Sequence, residues 1–518
     1  MSDASRYSVL DEPLFRVTLE TGEERGLTLP EVLVQLSSGD VASFVALQFH
    51  QRQAWHCFLV QLATLALARD GRHDLNLTSD QWRALLVSLA EGSEDCWCLL
   101  VEDVARPAFL QPPVPEGSLK AAHYKADLTT PDELDMLVTS KNHDIKMKRI
   151  TSPRIEHWIY ALVTLQTMDG FLGQGNYGIS RMNGGFGNRP LVELCPSLSW
   201  GGRFRRDVEV LLTARARLAE EFSYDLEGIA LLWLQPWDGS RAAALPLERC
   251  DPLFIEICRR IRFVQSGGAL RCLRANSRGP RVAVREGADG AIGDPWTPID
   301  KKAGKALTVG ERGFTYRLLQ EILFSGNYVR PPALEATEAE SDGALATATT
   351  LVRGQGVTGG WHRRVVPVPA SVIRLFGSPT EREKLAARAK LQVDLASEVQ
   401  KKVLTVALFA LMKAGSEGNV DWAKLNRWAA AYDAEVDDVF FDDLWASVPL
   451  AGDEASVRWK RRILGFARTQ LNHAIRSTPL PSVRRYRAIS AAESSFSRTA
   501  AGILKNEEPT GNYRKEEE

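Results

Sequence analysis

Five cations, Lys141, Lys146, Lys148, Arg149 and Arg154, fall within fourteen residues, with Asn142 and His143 among them. A short apolar stretch follows, and then D-G-F-L-G-Q-G-N-Y-G-I-S-R-M-N-G-G-F-G-N-R-P from Asp169 to Pro190. Seven glycines occur in the eighteen residues Gly170–Gly187, against 39 in 518 for the whole chain. Lysine and arginine neutralise phosphate. Glycine lets a backbone approach closely and expose its N–H donors. Together they suit contact with something bulky and anionic, and a nucleic-acid backbone is the natural candidate. The contact set read here is the basic loop together with Gly173, Gln174, Gly175, Asn176, Tyr177 and Gly178, and with Arg181 and Asn183 beyond. A plain surface loop remains the bland alternative.

Gly173–Gly178 matches G-x-G-x-x-G, but a dinucleotide fingerprint needs a strand before it and a helix after it. Ser152-Pro153 instead starts a helix here, with proline in the first turn. Ile155, Trp158, Ile159, Leu162 and Leu165 continue its apolar stripe, and I-S-R-M-N-G-G-F-G after Gly178 is no helix. A second loop, L-V-R-G-Q-G-V-T-G-G-W-H-R-R, spans Leu351–Arg364. Its Gln355 stands between Gly354 and Gly356, near Arg353, Arg363 and Arg364. Nothing beside that glutamine clashes, so it suits insertion into a narrow space, where an amide reads base edges and a wedge parts stacked pairs. A simple hairpin turn is the alternative.

Two His-Asp dipeptides, His73-Asp74 and His143-Asp144, raise a metal-dependent phosphohydrolase as a second function class. No G-x-S-x-G, Walker loop or H-E-x-x-H accompanies them. The seven cysteines are odd in number and form no C-x-x-C, so neither a disulfide framework nor a zinc ribbon is expected. Net charge is −1, which argues against a non-specific nucleic-acid coat. The polar opening M-S-D-A-S-R-Y-S and the lack of a long uncharged apolar run point to a cytoplasmic protein with no membrane contact.

The elements that must position these loops read as α+β: a large mixed domain over 1–375, a helical bundle over 376–506 and a disordered tail over 507–518. T-L-P-E at Thr28–Glu31 has the form of a capping box, and Asp40 is read as the cap of the next helix. Phe44, Leu47, Trp55, Phe58, Leu59, Leu62 and Leu65 recur at helical spacing on it. Ile229–Leu234 and Arg281–Arg285 read as strands. Pro252–Val264 and Tyr316–Phe324 read as helices. Leu334–Thr350, small, polar and acidic, reads as a mobile connection.

From Pro379 onward four apolar stripes separated by Gly415–Gly418 and Pro479–Pro481 imply an antiparallel four-helix bundle. Leu391, Val399, Val403, Val406 and Leu411 belong to the first stripe. Asp433–Asp443 holds six acids and no base, while Asp453–Lys505 holds eleven Lys or Arg against three acids. Solvated helix faces are the bland reading. The sharper one gives Arg458, Lys460, Arg461 and Arg462, with Arg484, Arg485 and Arg487, to nucleic acid, and turns the acidic helix elsewhere.

In their order along the chain these pieces resemble the CasA family, the large subunit of the type I-E CRISPR surveillance complex Cascade. The resemblance rests on L-D-E-P-L-F-R-V near the start, P-A-F-L-Q, the K-N-H-D loop and the L-Q-T-M-D-G-F-L-G-Q-G-N-Y-G-I-S-R-M-N-G-G block. C-D-P, G-D-P-W-T-P-I and R-G-Q-G continue it. It implies a subunit that is not an enzyme; some members carry a Cys-rich metal knuckle, and since this sequence has no such cluster, no zinc and no other cofactor is expected. Such a subunit reads the short motif flanking a double-stranded DNA target, helps open the duplex within a guide-RNA-containing assembly, and recruits a helicase–nuclease. By position, the resemblance implies a glycine loop at Gly173–Gly178, a wedge at Gln355 and a DNA-contacting loop at Lys141–Arg154. The family often uses a lysine finger. Here the nearest cations are Arg278, Arg281 and Arg285.

Overall fold

The computed structural model describes residues 6–135, 150–184, 188–354, 357–415 and 420–505. With 49% of residues helical and 17% in strands, the chain is α+β. Packing divides it into two units, Met1–Phe314 with Gly326–Ile373, and Thr315–Ser325 with Arg374–Glu518. Helix Tyr316–Phe324, which a cut at 375 leaves with the first domain, therefore packs within the second unit.

The first unit is built around helix Arg52–Arg69, buried on every side from Gln53 to Leu67. An all-round buried helix must pair its polar side chains internally. Gln61 Nε2 donates to the carbonyls of Leu253 and Phe254 at 3.0 and 3.1 Å. Gln53 Nε2 donates to those of Arg189 and Thr349 at 3.2 and 3.1 Å. Trp55, Trp97, Trp158, Trp233 and Trp296 supply much of the surrounding core. The box at Thr28 caps helix Leu29–Ser38 as its residue types demand, with Thr28 N donating to Glu31 Oε2 at 2.7 Å. Asp40 caps nothing: strand Val41–Phe44 follows it, and the next helical turns begin only at Phe49.

Two expectations fail. Pro252–Val264 is not a helix but parts of strands Cys250–Ile255 and Arg260–Ser266. Every residue of the first strand is buried, Asp251 included, so its side chains show no core–solvent alternation, and period alone does not separate it from a buried helix. Leu334–Thr350 is not a loose connection. Its second half enters strand Gly343–Gly354, which lies between Leu191–Cys195 and Val357–Pro369 with antiparallel pairing on both sides. Ala346 and Ala348 are fully buried, and Thr347 Oγ1 donates to Glu193 at 2.8 Å. Small residues let this middle strand pack tightly, and the sequence shows only their polarity.

In the second unit, one long helix runs from Pro379 to Gly415 through a π-helical segment, Val399–Leu404. Helices Trp422–Ser447, Gly452–Ser477 and Ser482–Lys505 complete the bundle. Leu385, Leu408, Val436, Phe440, Trp459 and Ile463 line its core. Leu391 and Val406, assigned to the first stripe, are instead 49% and 40% exposed. The π turn holds an extra residue and rotates the apolar face past Val406. The tail 507–518 lies outside the described residues.

Candidate nucleic-acid interface

The glycine-dense segment follows helix Ile155–Met168 and closes on itself. Ile179 N donates to the Asp169 carbonyl at 3.0 Å, so the chain leaves where it entered. Arg259, only 7% exposed, locks that neck. Its guanidinium donates to Asp169 Oδ2 at 2.6 Å and the Gly170 carbonyl at 2.7 Å, and also to the Tyr177 carbonyl. Phe171 and Tyr177 pair across the neck with ring centroids 5.7 Å apart. A Cβ on Gly178 would meet the Gly170 carbonyl carbon at 2.5 Å and Phe171 N at 2.6 Å. Backbone touches backbone there, and only glycine permits it.

At the tip, Asn176 N donates to the Gly173 carbonyl at 3.0 Å. Gly175 has φ +91° in the third place of this turn, as a type II turn requires. Gln174 stands exposed beside it. The tip is tied to a second segment: Ser277 N donates to the Gly175 carbonyl at 3.0 Å. Arg278 N in turn donates to the Gly239 carbonyl, and Arg241 Nε to the Arg278 carbonyl at 3.1 Å. Three sequence-distant segments thus enclose a cleft of about 770 Å³ lined by Gln174, Gly175, Tyr177, Ser240, Arg241, Asn276, Ser277 and Arg278. Two arginines and no carboxylate line it. Arg278 and Arg241 are both exposed, and neither has an ion-pair partner among the described residues. The arrangement offers a positive, amide-rich cavity of the kind that accepts phosphate and base edges.

The exit of the loop is anchored by Glu256. Its carboxylate accepts from Ser180 N at 2.7 Å and Ser180 Oγ at 2.9 Å. Burial pushes that carboxyl up to about 7, against the opposing pull of Arg181 and the Ser180 bonds. Glu256, Arg259 and Arg241 carry no signal in the sequence reading. The turn D-G-S at Asp238–Ser240 just before Arg241 is the one clue that was available.

Some expected contacts are corrected. Arg181 is 1% exposed, stacks on Phe254 at 4.2 Å and donates to the Phe254 carbonyl at 3.1 Å. Arg281 is likewise 1% exposed and donates to the carbonyls of Leu232, Gln235, Pro236 and Ala243. Both guanidiniums are buried away from the surface. Of the three finger candidates, Arg278 alone lines the cleft, while Arg285 is exposed away from it. Asn183 Nδ2 tethers the Ala306 carbonyl at 3.3 Å. Arg154 is exposed at the start of its helix. Lys141, Asn142, His143, Lys146, Lys148, Arg149 and Gln355 lie outside the described residues, as does the side chain of Arg353.

In the second unit the basic cluster is not segregated from the acidic helix. Arg462 pairs with Asp443, and Arg458 lies 3.5 Å from it. Lys460 is buried and Arg484 half-buried, while Arg458, Arg461, Arg485 and Arg487 are exposed. Asp433 and Asp437 hold the start of helix Tyr316–Phe324. Arg317 donates to Asp433 at 2.7 Å and Tyr316 N to Asp437 at 2.5 Å.

The metal alternative finds no support at its proposed place. His73 and Asp74 are exposed in a loop, where Asp74 accepts from Asn76 N at 2.9 Å. Among the described residues the cluster with ligand geometry is His56, Glu193 and Asp207, all buried. Its carboxylates already serve Arg203, Arg206 and His56, at 2.6, 3.0 and 2.8 Å. Burial pushes the Asp207 carboxyl up, but His56 and the guanidiniums outweigh it and hold it below the ordinary range.

No protein-family model matches the chain, and no curated protein matches its sequence. Solved structures do. CasA of Thermus thermophilus superposes with a TM-score of 0.63 at 16% identity, covering 96% of this chain and 100% of that one. Thermobifida fusca Cse1 gives 0.65 at 16%, covering 97% and 99%. A chain of a structure described as a CRISPR RNA-guided surveillance complex gives 0.60 at 13%, covering 96% and 100%. The chain has the CasA (Cse1) fold over essentially its whole length. Among the described residues no helix is long and apolar enough to cross a membrane.

Proposed function

We propose that the chain is the large, non-catalytic subunit of a Cascade-type, guide-RNA-containing complex in the cytoplasm. It recognises the motif flanking a double-stranded DNA target, helps open the duplex, and serves as the docking point for a helicase–nuclease. The observation that carries this reading is the junction of the glycine loop with the Arg278 segment around one positive cleft, in a chain of CasA fold. Gly173–Gly178 supplies backbone close to the duplex, Arg278 acts as the finger in place of a lysine, and Gln355 is the wedge. An arginine finger presents a rigid planar fork of donors, whereas a lysine presents a compact ammonium on a flexible stem, so the two read base edges differently. Arg241, held on the Arg278 carbonyl, braces that finger. The basic loop Lys141–Arg154 adds phosphate contacts independent of sequence.

The test is binding of the assembled complex to duplexes that differ only in the flanking motif. Arg278→Ala should cost about 1–3 kcal/mol on the preferred motif and level the differences among motifs. Neutralising Lys146, Lys148 and Arg149 should weaken all motifs alike and flatten the salt dependence. Retention of full motif preference by the Arg278→Ala complex refutes the finger assignment.

A further inference from the structure

Strand Val357–Pro369 carries Trp361 and Arg363 on one face, opposite Leu351 and Thr349 of its neighbour. This face borders the start of helix Arg52–Arg69, and Phe49, Arg52, Leu198, Trp361 and Arg363 line a groove there with Thr349. Phe49 is 70% exposed and Leu198 43%, far more than ordinary for such side chains. The Arg52 guanidinium lies over the Phe49 ring at 4.6 Å. Neither Arg52 nor Arg363 has an ion-pair partner among the described residues. Both guanidiniums line the same groove, and partial burial and then the positive charge of Arg363 push Arg52 below its ordinary value. Two guanidiniums without an ion-pair partner among the described residues, beside an exposed ring, make a surface short of an anion that also carries a flat face.

We propose that this groove holds single-stranded DNA parted during duplex opening, with a base stacked on Phe49 or Trp361 and phosphates between Arg52 and Arg363. The inference rests on the duplex-opening reading above. It commits to DNA because the groove lies on strand Val357–Pro369, which begins two positions after the proposed wedge in sequence: at about 3.3 Å per residue, Trp361 is roughly 13 Å along that strand from Val357. Stacking on aromatic rings with arginines on the backbone is how single strands are held without sequence preference. Arg52 at the head of a rigid buried helix, and Arg363 within a paired strand, need no reorganisation to receive the strand.

The experiment uses the purified full chain and a fluorescent twelve-nucleotide oligothymidine, followed by anisotropy at several salt concentrations. The wild type should bind, and Arg52→Gln with Arg363→Gln should weaken binding at least tenfold. The slope of log K against log salt should become shallower by about 1.4, two contacts at roughly 0.7 each. Phe49→Ala, at a site too exposed to disturb folding, should weaken binding without altering that slope. Ultraviolet cross-linking should place the oligonucleotide on Phe49 or Trp361. No measurable binding by the wild type, unchanged affinity in the arginine double variant, or cross-links confined elsewhere overturns the proposal. So does tenfold tighter binding of the matching RNA, or loss of complex assembly with oligonucleotide binding intact, which would make the groove a protein contact. In the assembled complex, Arg52→Gln with Arg363→Gln should leave the preference among flanking motifs unchanged, so failure of the motif-reading assignment and failure of the groove are told apart.

Discussion

The backbone N–H of Ser277 donates to the carbonyl of Gly175 at 3.0 Å. That single bond joins the tip of the glycine loop to the segment bearing Arg278, so the two parts of the cleft move together. A Cβ on Gly175 would stand 2.8 Å from Asn276 Cγ, at a φ of +91°. The left-handed backbone costs an alanine roughly 1–2 kcal/mol, and the Asn276 side chain must also turn aside. Gly175→Ala should therefore lower the thermal midpoint by a few degrees and weaken motif-dependent DNA binding by more than tenfold. Differential scanning calorimetry and duplex titration check both. Normal binding with only the thermal loss would mean the loop tip is remote from DNA.

The neck should be as sensitive as the tip. Arg259 serves Asp169, Gly170 and Tyr177 at once, from a position 7% exposed. Arg259→Met keeps the volume but leaves a buried carboxylate and two carbonyls short of a donor. Breaking such a buried pair costs about 3–5 kcal/mol. The loop should open before the rest of the first unit. Limited proteolysis should cut within 170–178 in the variant and not in the wild type, and resistance to cleavage would show that the neck holds without Arg259.

Glu256 gives the loop a pH dependence of defined sign. Its folded carboxyl is raised from 4.5 to about 7 by burial. The stability linked to this protonation is complete below the unfolded value near 4.5, and is lost as pH rises through about 7. Glu256→Gln keeps an acceptor for Ser180 N and a polar group at Ser180 Oγ, and carries no charge at any pH. The difference in thermal midpoint, variant minus wild type, should grow more positive between pH 5 and pH 8. A constant difference over that range would mean the carboxyl titrates normally.

How far the site was legible follows from where its parts come from. Glycine density and turn chemistry are local, so Gly173–Gly178 and its type of turn are readable in the sequence. Arg278 is readable as one of three candidate arginines but not as the one that lines the cleft. Arg281, three residues on, is swallowed by four carbonyls contributed from residues 232–243, a long-range fact with no local trace. Arg259, Glu256 and Arg241 act across gaps of dozens of residues and share no motif with the loop they hold. The bundle was legible because helical period is local. The strand Gly343–Gly354 was not, because alanine and threonine look like linker until two neighbouring strands cover them.

The bundle offers a sharper test than its net charge suggests. Asp443 is 3% exposed, accepts from Arg462 and faces Arg458 at 3.5 Å. Arg461 is exposed and has no ion-pair partner among the described residues. Two adjacent arginines thus do different things, one neutralising a buried carboxylate and the other free for an outside contact. The arginine ends are 38% and 48% exposed, so solvent screens part of the pairing. Its loss should cost about 1–2 kcal/mol rather than the full buried value. Arg462→Glu should lower the unfolding temperature of the full chain, and Asp443→Asn in the same molecule should recover part of the loss, as a coupled pair requires. Arg461→Glu should leave unfolding unchanged and shorten the lifetime of an opened DNA complex, read by single-molecule dissociation. Equal unfolding temperatures for the two reversals would remove the Asp443 pairing as a structural element. An unchanged lifetime in Arg461→Glu would leave the bundle's exposed arginines to protein docking rather than to nucleic acid.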